Sequence, residues 1–405
     1  MKRLRFEIGF FIAVRTVLNT GYRMIYPFLP VFARSLGVDI RTMSLALTAR
    51  ATAGALGPLL APFSDRKGRR FGMLLGIGLF ASGAAVPLLG SRFFFFTAAL
   101  VLMTIGKYAF DPSMQALLGD RIPYARRGTV LALTELGWAL AFILGVPAAG
   151  YLITRYGWRA PFVGLACLGF AAWAVVRAAF PGAEGPGSSF RKAEGGGPVR
   201  RGRPAHFRSF HAVFSSAASL AGLAVMAMVS AANESVNVVF GVWLEDSFGL
   251  KIAALAAASA VIGISEFGGE TLVAVTVDRV GKYRAVLVGL AGNSAAALLL
   301  PVTGRSSFTA VAGLFAFYLT FEYTIVSFIP LMSEVLPEAR ATLLAFNTAA
   351  FSLGRAGGAW FSPRLYELGF FAVALGAVGC NAVALAALLR LRRLKRDSDP
   401  LLVRS

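Results

Sequence analysis

Residues 64–70 read Ser-Asp-Arg-Lys-Gly-Arg-Arg, and residues 277–284 read Val-Asp-Arg-Val-Gly-Lys-Tyr-Arg. Asp65 and Asp278 lie 213 residues apart, and each stretch joins one long apolar run to the next. A second pair follows, Pro123-Tyr124-Ala125-Arg126 against Pro337-Glu338-Ala339-Arg340, at a spacing of 214 residues. Two matches at nearly one offset mark an internal duplication. The repeated unit contains six apolar runs, so the chain reads as six helices plus six. Paired six-helix halves are a transporter architecture, with the substrate site near the midplane between them.

Working outward from these loops, twelve apolar segments cover about 8–32, 41–63, 71–90, 93–118, 128–151, 159–180, 212–242, 251–276, 284–303, 307–333, 341–362 and 369–389. An α-helix needs roughly 20 apolar residues to cross a bilayer, and most of the runs are of that length. Of the 405 residues, 57% are hydrophobic and only 15% charged. A soluble domain carries roughly 45–50% apolar and about 25% charged residues, so this composition excludes one. A transmembrane barrel needs alternating segments of about ten residues, and none is present. Pro27, Pro30, Pro58, Pro112 and Pro147 fall inside the runs. Neighbouring helices can satisfy the backbone groups that such prolines free. The fold class expected is an all-α polytopic membrane protein with twelve transmembrane helices in two pseudo-symmetric bundles.

The chain carries 40 Lys and Arg against 20 Asp and Glu, a net charge of +20. In a membrane protein this excess first reports topology, because basic residues collect in cytoplasmic loops. The N-terminus, the C-terminus and the five loops on their side hold 27 of the 40 bases. The five opposite loops hold eight: Arg34, Arg41, Arg92, Arg155, Arg159, Lys251, Arg305 and Arg364. Both termini are therefore expected in the cytoplasm, with the protein multi-pass in the cell's inner membrane. Residues 181–211 are rich in Gly, Pro and Arg and lack any period, which reads as a flexible basic linker. The expected organisation is a bundle over 1–180, the linker over 181–211, a second bundle over 212–396 and a tail over 397–405.

Cys167 and Cys380 both lie in apolar runs, which argues against a disulfide framework or a structural zinc site. No His-Glu-x-x-His or Gly-x-Ser-x-Gly pattern occurs, nor the nucleotide-cradling loop of an ATP-driven pump. No enzymatic activity, cofactor or metal is expected. The basic linker could attract anionic lipid, but the one-sided charge bias already accounts for it, and no nucleic-acid partner is expected.

On these residues the chain resembles the major facilitator superfamily over essentially its whole length. The family's loop signature maps onto Ala61 to Arg70, matching at Asp65, Arg66, Gly68, Arg69 and Arg70, with Ala61 in place of the usual first glycine. The second copy keeps Asp278, Arg279, Gly281 and Lys282. The resemblance implies that Asp65, Arg66, Gly68, Arg69, Asp278 and Arg279 form a cytoplasmic gate, with Asp120 a plausible partner for Arg69. The fifth segment carries Gly137 and then Gly145-Val146-Pro147-Ala148-Ala149-Gly150, a partial likeness to the Gly-Pro signature of the family's antiporters. Lys107 loosely resembles a basic residue on the fourth helix of its proton-coupled exporters.

Ionisable groups deep in a membrane are costly and are functional candidates by default. Arg23 and Glu234 occupy nearly equivalent sites when Gly37 is aligned with Gly249. With Asn19, Tyr26, Asn233 and Asn237 they form the expected substrate-binding set. Lys107 and Asp111 are four residues apart and share a helix face. Glu266 and Glu270 are also four apart with no base beside them, and two close carboxylates raise one another's proton affinity. Glu322 joins them, so Asp111, Glu234, Glu266, Glu270 and Glu322 are the expected proton-coupling set. Arg50 and Arg355 are available counter-charges, and Glu135 is a further acid within a span. The function expected is proton-coupled efflux of a small organic compound by a monomer working through alternating access. The alternative is a symporter or facilitator importing a sugar or an organic anion, which the deep arginines would suit.

Overall fold

The computed structural model describes residues 2–58, 68–122, 124–180 and 205–398, apart from the side chains of 2–5, 120, 124–129, 131, 132, 205–208, 397 and 398. All regular structure among the described residues is helical. In chain order the helices are α1 Lys2–Arg23, α2 Leu29–Leu36, α3 Ile40–Gly54, α4 Arg69–Ala85, α5 Phe93–Arg121, α6 Tyr124–Leu140, α7 Val146–Tyr156 and α8 Ala160–Ala179. After residue 204 come α9 Ala205–Ser215, α10 Ala217–Phe248, α11 Ile252–Val280, α12 Lys282–Thr303, α13 Ser307–Ser333, α14 Arg340–Tyr366 and α15 Phe370–Ser398. Nine helices among the described residues are long and apolar enough to cross a membrane.

Helices α1, α3 and α14 are not among those nine. Helix α3, at 15 residues, is too short to span; for α1 and α14 the reason is chemical. Helix α1 carries Glu7, Arg15 and Arg23, and α14 buries Asn347 and Arg355. These polar groups lower mean hydropathy, and a membrane helix can carry them because they are buried in the protein interior.

By its contacts the chain forms two units, Met1–Asp39 with Leu56–Arg201, and Ile40–Ala55 with Gly202–Ser405. Helix α3 comes from the first half of the sequence yet packs within the second unit, on α14. There Thr48 Oγ1 donates to the Ala356 carbonyl at 3.5 Å, and Arg41 pairs with Glu367 just beyond α14.

The duplication is visible in packing. In the first unit α1 lies on α6 and α8, and α4 lies on α5 and α8. In the second, α10 lies on α14 and α15, and α12 lies on α13 and α15. The backbone repeats as well. The six positive-φ glycines fall into three pairs: Gly37 (66°) with Gly249 (63°), Gly68 (94°) with Gly281 (85°), and Gly157 (87°) with Gly369 (102°). Each pair is 212 or 213 residues apart. Gly37 and Gly249 end α2 and α10 as left-handed caps whose amides return to carbonyls of the last turn. Gly68 and Gly281 turn the chain into α4 and α12, so the two loop signatures share their backbone geometry at the glycine.

Three features differ from the sequence reading. The first segment is not one helix: α1 stops at Arg23, and turns over Met24–Phe28 precede α2. Pro27 and Pro30 lack the N–H groups a continuous ladder needs. The fifth segment contains a π-turn at Ala141–Gly145 between α6 and α7. Pro147 removes the donor that would reach the Ile143 carbonyl, which favours this local widening. The end of the expected linker is helical from Ala205. Phe210 and Phe214, one turn apart on α9, both meet Phe346 edge to face, with centroids at 5.1 and 4.9 Å.

Candidate functional site

Each unit buries a set of charged side chains at the seam between its first helix and the helices packed on it. In the first unit the centre is Arg15 on α1, whose side chain is 5% exposed. Its Nη1 and Nη2 lie 2.7 and 2.9 Å from the two oxygens of Glu135 on α6. Its Nε lies 3.3 Å from Asp111 Oδ1 on α5. Lys107, one turn before Asp111, donates to Oδ2 of the same carboxylate. Gln115 adds an amide hydrogen bond to Glu135 at 3.3 Å. Two bases and two acids thus tie three helices together with no net charge, which is what a buried ionic group requires.

Glycines allow this approach. A Cβ on Gly137 would sit 2.8 Å from Arg15 Cβ and 3.1 Å from the Ile12 carbonyl. Further along the same seam, a Cβ on Gly145 would fall 1.8 Å from Thr20 Oγ1. The small residues of the fifth segment are therefore contact points for α1. Two turns beyond Arg15, the Arg23 guanidinium lies 4.2 Å from the Trp138 ring centroid and 3.5 Å from that of Phe142, within the π-turn. It also donates to the Trp138 carbonyl at 3.2 Å. Between Arg15 and Arg23, Asn19 is buried, and neither atom of its amide has a hydrogen-bond partner among the described residues.

In the second unit the centre is Glu234 on α10. Its Oε2 lies 3.6 Å from Arg355 Nε on α14 and accepts from Asn237 Nδ2 at 3.3 Å. Tyr318 on α13 donates to Asn237 Oδ1 at 2.7 Å, extending the chain of contacts to a third helix. Gly354 and Gly358 flank Arg355. Their Cβ positions would meet the carbonyls of Ala227 and Ala231 at 2.0 and 2.7 Å, so the α10–α14 contact is backbone to backbone. Glu266 and Glu270 on α11 share a seam with Glu322 on α13. Between them, a Cβ on Gly269 would lie 2.9 Å from Glu322 Cβ.

The expected substrate set, Asn19, Arg23, Tyr26, Asn233, Glu234 and Asn237, is buried throughout. Glu266 and Glu322 are buried and Glu270 is half-buried. Of the expected gate, Gly68 and Arg69 begin α4, while Asp278 and Arg279 are exposed at the end of α11. Asp65 and Arg66 lie outside the described residues, as does the side chain of Asp120. The described residues hold no cluster of metal-ligating side chains.

Sequence reading passed over Arg15 and Tyr318. Arg15 lies four residues before Asn19 and eight before Arg23, so helical spacing alone puts all three on one face. Tyr318 stands one turn before Glu322 on α13.

Comparison with known proteins agrees with this architecture. The sequence profile of the Major Facilitator Superfamily matches residues 11–359. The uncharacterized MFS-type transporter YwfA of Bacillus subtilis (strain 168) is 26% identical over 361 residues, covering 87% of this chain and 84% of that protein. A chloramphenicol resistance protein of Streptomyces lividans is 28% identical over 269 residues, covering 65% of this chain and 64% of that one. Among solved structures, a peptide transporter POT in complex with sulfate aligns with a TM-score of 0.74 at 13% identity, over 96% of this chain and 95% of that one. A bacterial homolog of the human lysosomal transporter Spinster aligns at 0.69 and 15% identity, with the same coverage.

Proposed function

The chain belongs to the Major Facilitator Superfamily of membrane transporters, and from that premise we propose that it exports a small organic compound in exchange for protons entering the cell. The observation that carries this reading is that each unit holds a buried arginine paired with an acid on another helix: Arg15 on α1 with Asp111 and Glu135, and Arg355 on α14 with Glu234 on α10. A carboxylate held by a base inside a membrane protein is a group whose protonation changes which helices are bound together. The relative named for chloramphenicol resistance supports outward transport of a small organic molecule. The glycine contacts of the fifth segment with α1 support a seam that can rock.

In this proposal Asn19, Arg23, Tyr26, Asn233, Glu234 and Asn237 hold the substrate. The amide of Asn19, and that of Asn233 at its Nδ2, have no hydrogen-bond partner among the described residues and are the groups left to bond it. Asp111 with its partners, together with Glu234, Glu266, Glu270 and Glu322, handles protons. Asp65, Arg66, Gly68, Arg69, Asp120, Asp278 and Arg279 close the cytoplasmic side. The protein works as a monomer in the inner membrane with both termini in the cytoplasm, the orientation that the distribution of basic residues favours.

The test is uptake into everted vesicles against a panel of lipophilic cations, sugars and organic acids. Uptake driven by an inside-acid gradient, and absent without it, is the expected result. If no compound responds to a proton gradient in either vesicle orientation, the coupling is wrong.

A further inference from the structure

The two carboxylates of the first unit's cluster are not equivalent. Asp111 faces two bases: Lys107 bonds one oxygen, and Arg15 Nε lies 3.3 Å from the other. Its side chain is 16% exposed. Glu135 holds the two terminal nitrogens of Arg15 and the Gln115 amide, and its side chain is 44% exposed. An ionised carboxylate so open, yet bonded to a buried arginine, faces water, since the same group facing lipid would be heavily penalised. One guanidinium therefore serves two acids through different edges, and Glu135 is the more open of the two.

Among the described side chains, the other charges on these three helices are few. Helix α1 contributes Arg15, with Glu7 and Arg23 about two turns away on either side. Helix α5 contributes Lys107, Asp111 and Arg121, with Asp120 also in its sequence, and Arg121 is itself paired with Glu7 at 3.0 Å. On α6, Glu135 is the one acid, with Arg126 and Arg127 two turns or more before it in sequence.

We propose that Glu135 takes up and releases the coupling proton in the first unit, and that Arg15 is the positioning residue whose hold passes from Glu135 to Asp111 when it does. This rests on the reading of proton coupling given above. A proton from water adds to a carboxylate oxygen of Glu135, giving a neutral carboxyl group. The two bonds from Arg15 Nη1 and Nη2 lose their anionic acceptor and weaken. Arginine cannot give up its own proton, so its charge turns to Asp111, already partly neutralised by Lys107. The cluster passes from no net charge to +1, and release of the proton to water reverses the step. The consequence is mechanical. Arg15 Cβ lies under Gly137, two residues beyond Glu135, so reorienting Arg15 acts on the α1–α6 seam where backbone and side chain are in contact.

Infrared difference spectroscopy of the purified full-length protein in liposomes, between mildly alkaline and mildly acidic pH, tests the assignment. The wild-type spectrum is expected to contain a protonated-carboxyl band that E135Q lacks and that E135D retains at a displaced frequency. If E135Q fails to fold, the E135D displacement decides. An E135Q spectrum identical to wild type, or an undisplaced band in E135D, overturns the proposal. For Arg15, Arg15→Lys keeps the charge but loses the two-edged fork. It is expected to change the pH at which the band appears, which a purely structural role would leave unmoved. Ethidium uptake into everted vesicles separates the two levels. A normal wild-type band without proton-driven movement of any compound in the panel removes the coupling reading and not the proton site.

Discussion

Glu234 on α10 and Arg355 on α14 form an ion pair at 3.6 Å with side chains only 1% and 5% exposed. The pair has the opposite sense to its counterpart. In the first unit the base, Arg15, stands on the first helix and the acid, Glu135, on the fifth segment. In the second unit α10 bears the acid and α14 the base. Removing one member of a buried pair leaves the other uncompensated, at a cost of roughly 3–5 kcal/mol. Arg355→Met is therefore expected to lower thermal stability sharply. Adding Glu234→Gln should restore much of it, because the carboxylate that faced Arg355 is then replaced by a neutral amide. A double-mutant cycle on purified protein checks this, and strictly additive losses would exclude a direct pair.

The α10–α14 seam gives a prediction with an internal control. A methyl group on Gly354 would lie 2.0 Å from the Ala227 carbonyl oxygen, a backbone atom that cannot turn aside. Overpacking of this kind typically costs about 1–3 kcal/mol. Gly357, three residues along, has nothing within 4 Å of the same position. Gly354→Ala should lower the unfolding temperature clearly, whereas Gly357→Ala should leave it unchanged or raise it through helix propensity. Equal effects at the two positions would show that helix preference, and not the seam, sets the outcome.

Much of this arrangement is written locally and was legible. Lys107 and Asp111 meet because four residues of α-helix bring them to one face. The glycines of the two loop signatures share a left-handed conformation because the repeat preserves the turn as well as the letters. The remainder depends on which helices touch. Nothing near Glu135 in sequence names Arg15, 120 residues earlier, as its partner. That pairing exists because Gly137 lets α6 close on α1. Likewise α3 packs on α14 through a contact spanning 308 residues. The π-turn at Ala141–Gly145 was illegible for another reason. Its proline and glycine signal an irregularity, but which carbonyls it frees is set by the helix packed against it.

Arg23 should be readable through tryptophan fluorescence. Its guanidinium stacks on Trp138 and bonds that residue's carbonyl at the edge of the π-turn. A cation over an aromatic face contributes about 0.5–2 kcal/mol, more when desolvated. Arg23→Lys keeps the charge but loses the planar stack and the directed bond. The expected result is a changed Trp138 emission, isolated by replacing the other four tryptophans with Phe, together with weaker transport of any substrate the wild type carries. Unaltered emission would place Arg23 away from the ring in the working protein.

Glu234→Gln separates coupling from architecture. The glutamine amide oxygen can still accept from Asn237 Nδ2, so the contacts through Asn237 to Tyr318 survive, and the substitution is close to isosteric. What it removes is the negative charge facing Arg355 and the capacity to bind a proton. If Glu234 lies on the proton path, the variant should lose proton-driven uptake into everted vesicles while still exchanging labelled for unlabelled substrate. Tyr318→Phe supplies the comparison. It deletes the buried hydrogen bond to Asn237, worth about 1 kcal/mol, and leaves the Glu234 carboxylate in place, so it should lower stability slightly and leave the proton response intact. Were both variants to behave alike, the network would be structural and Glu234 would leave the coupling set. Loss in Glu234→Gln alone would assign the proton to the carboxylate rather than to the packing around it.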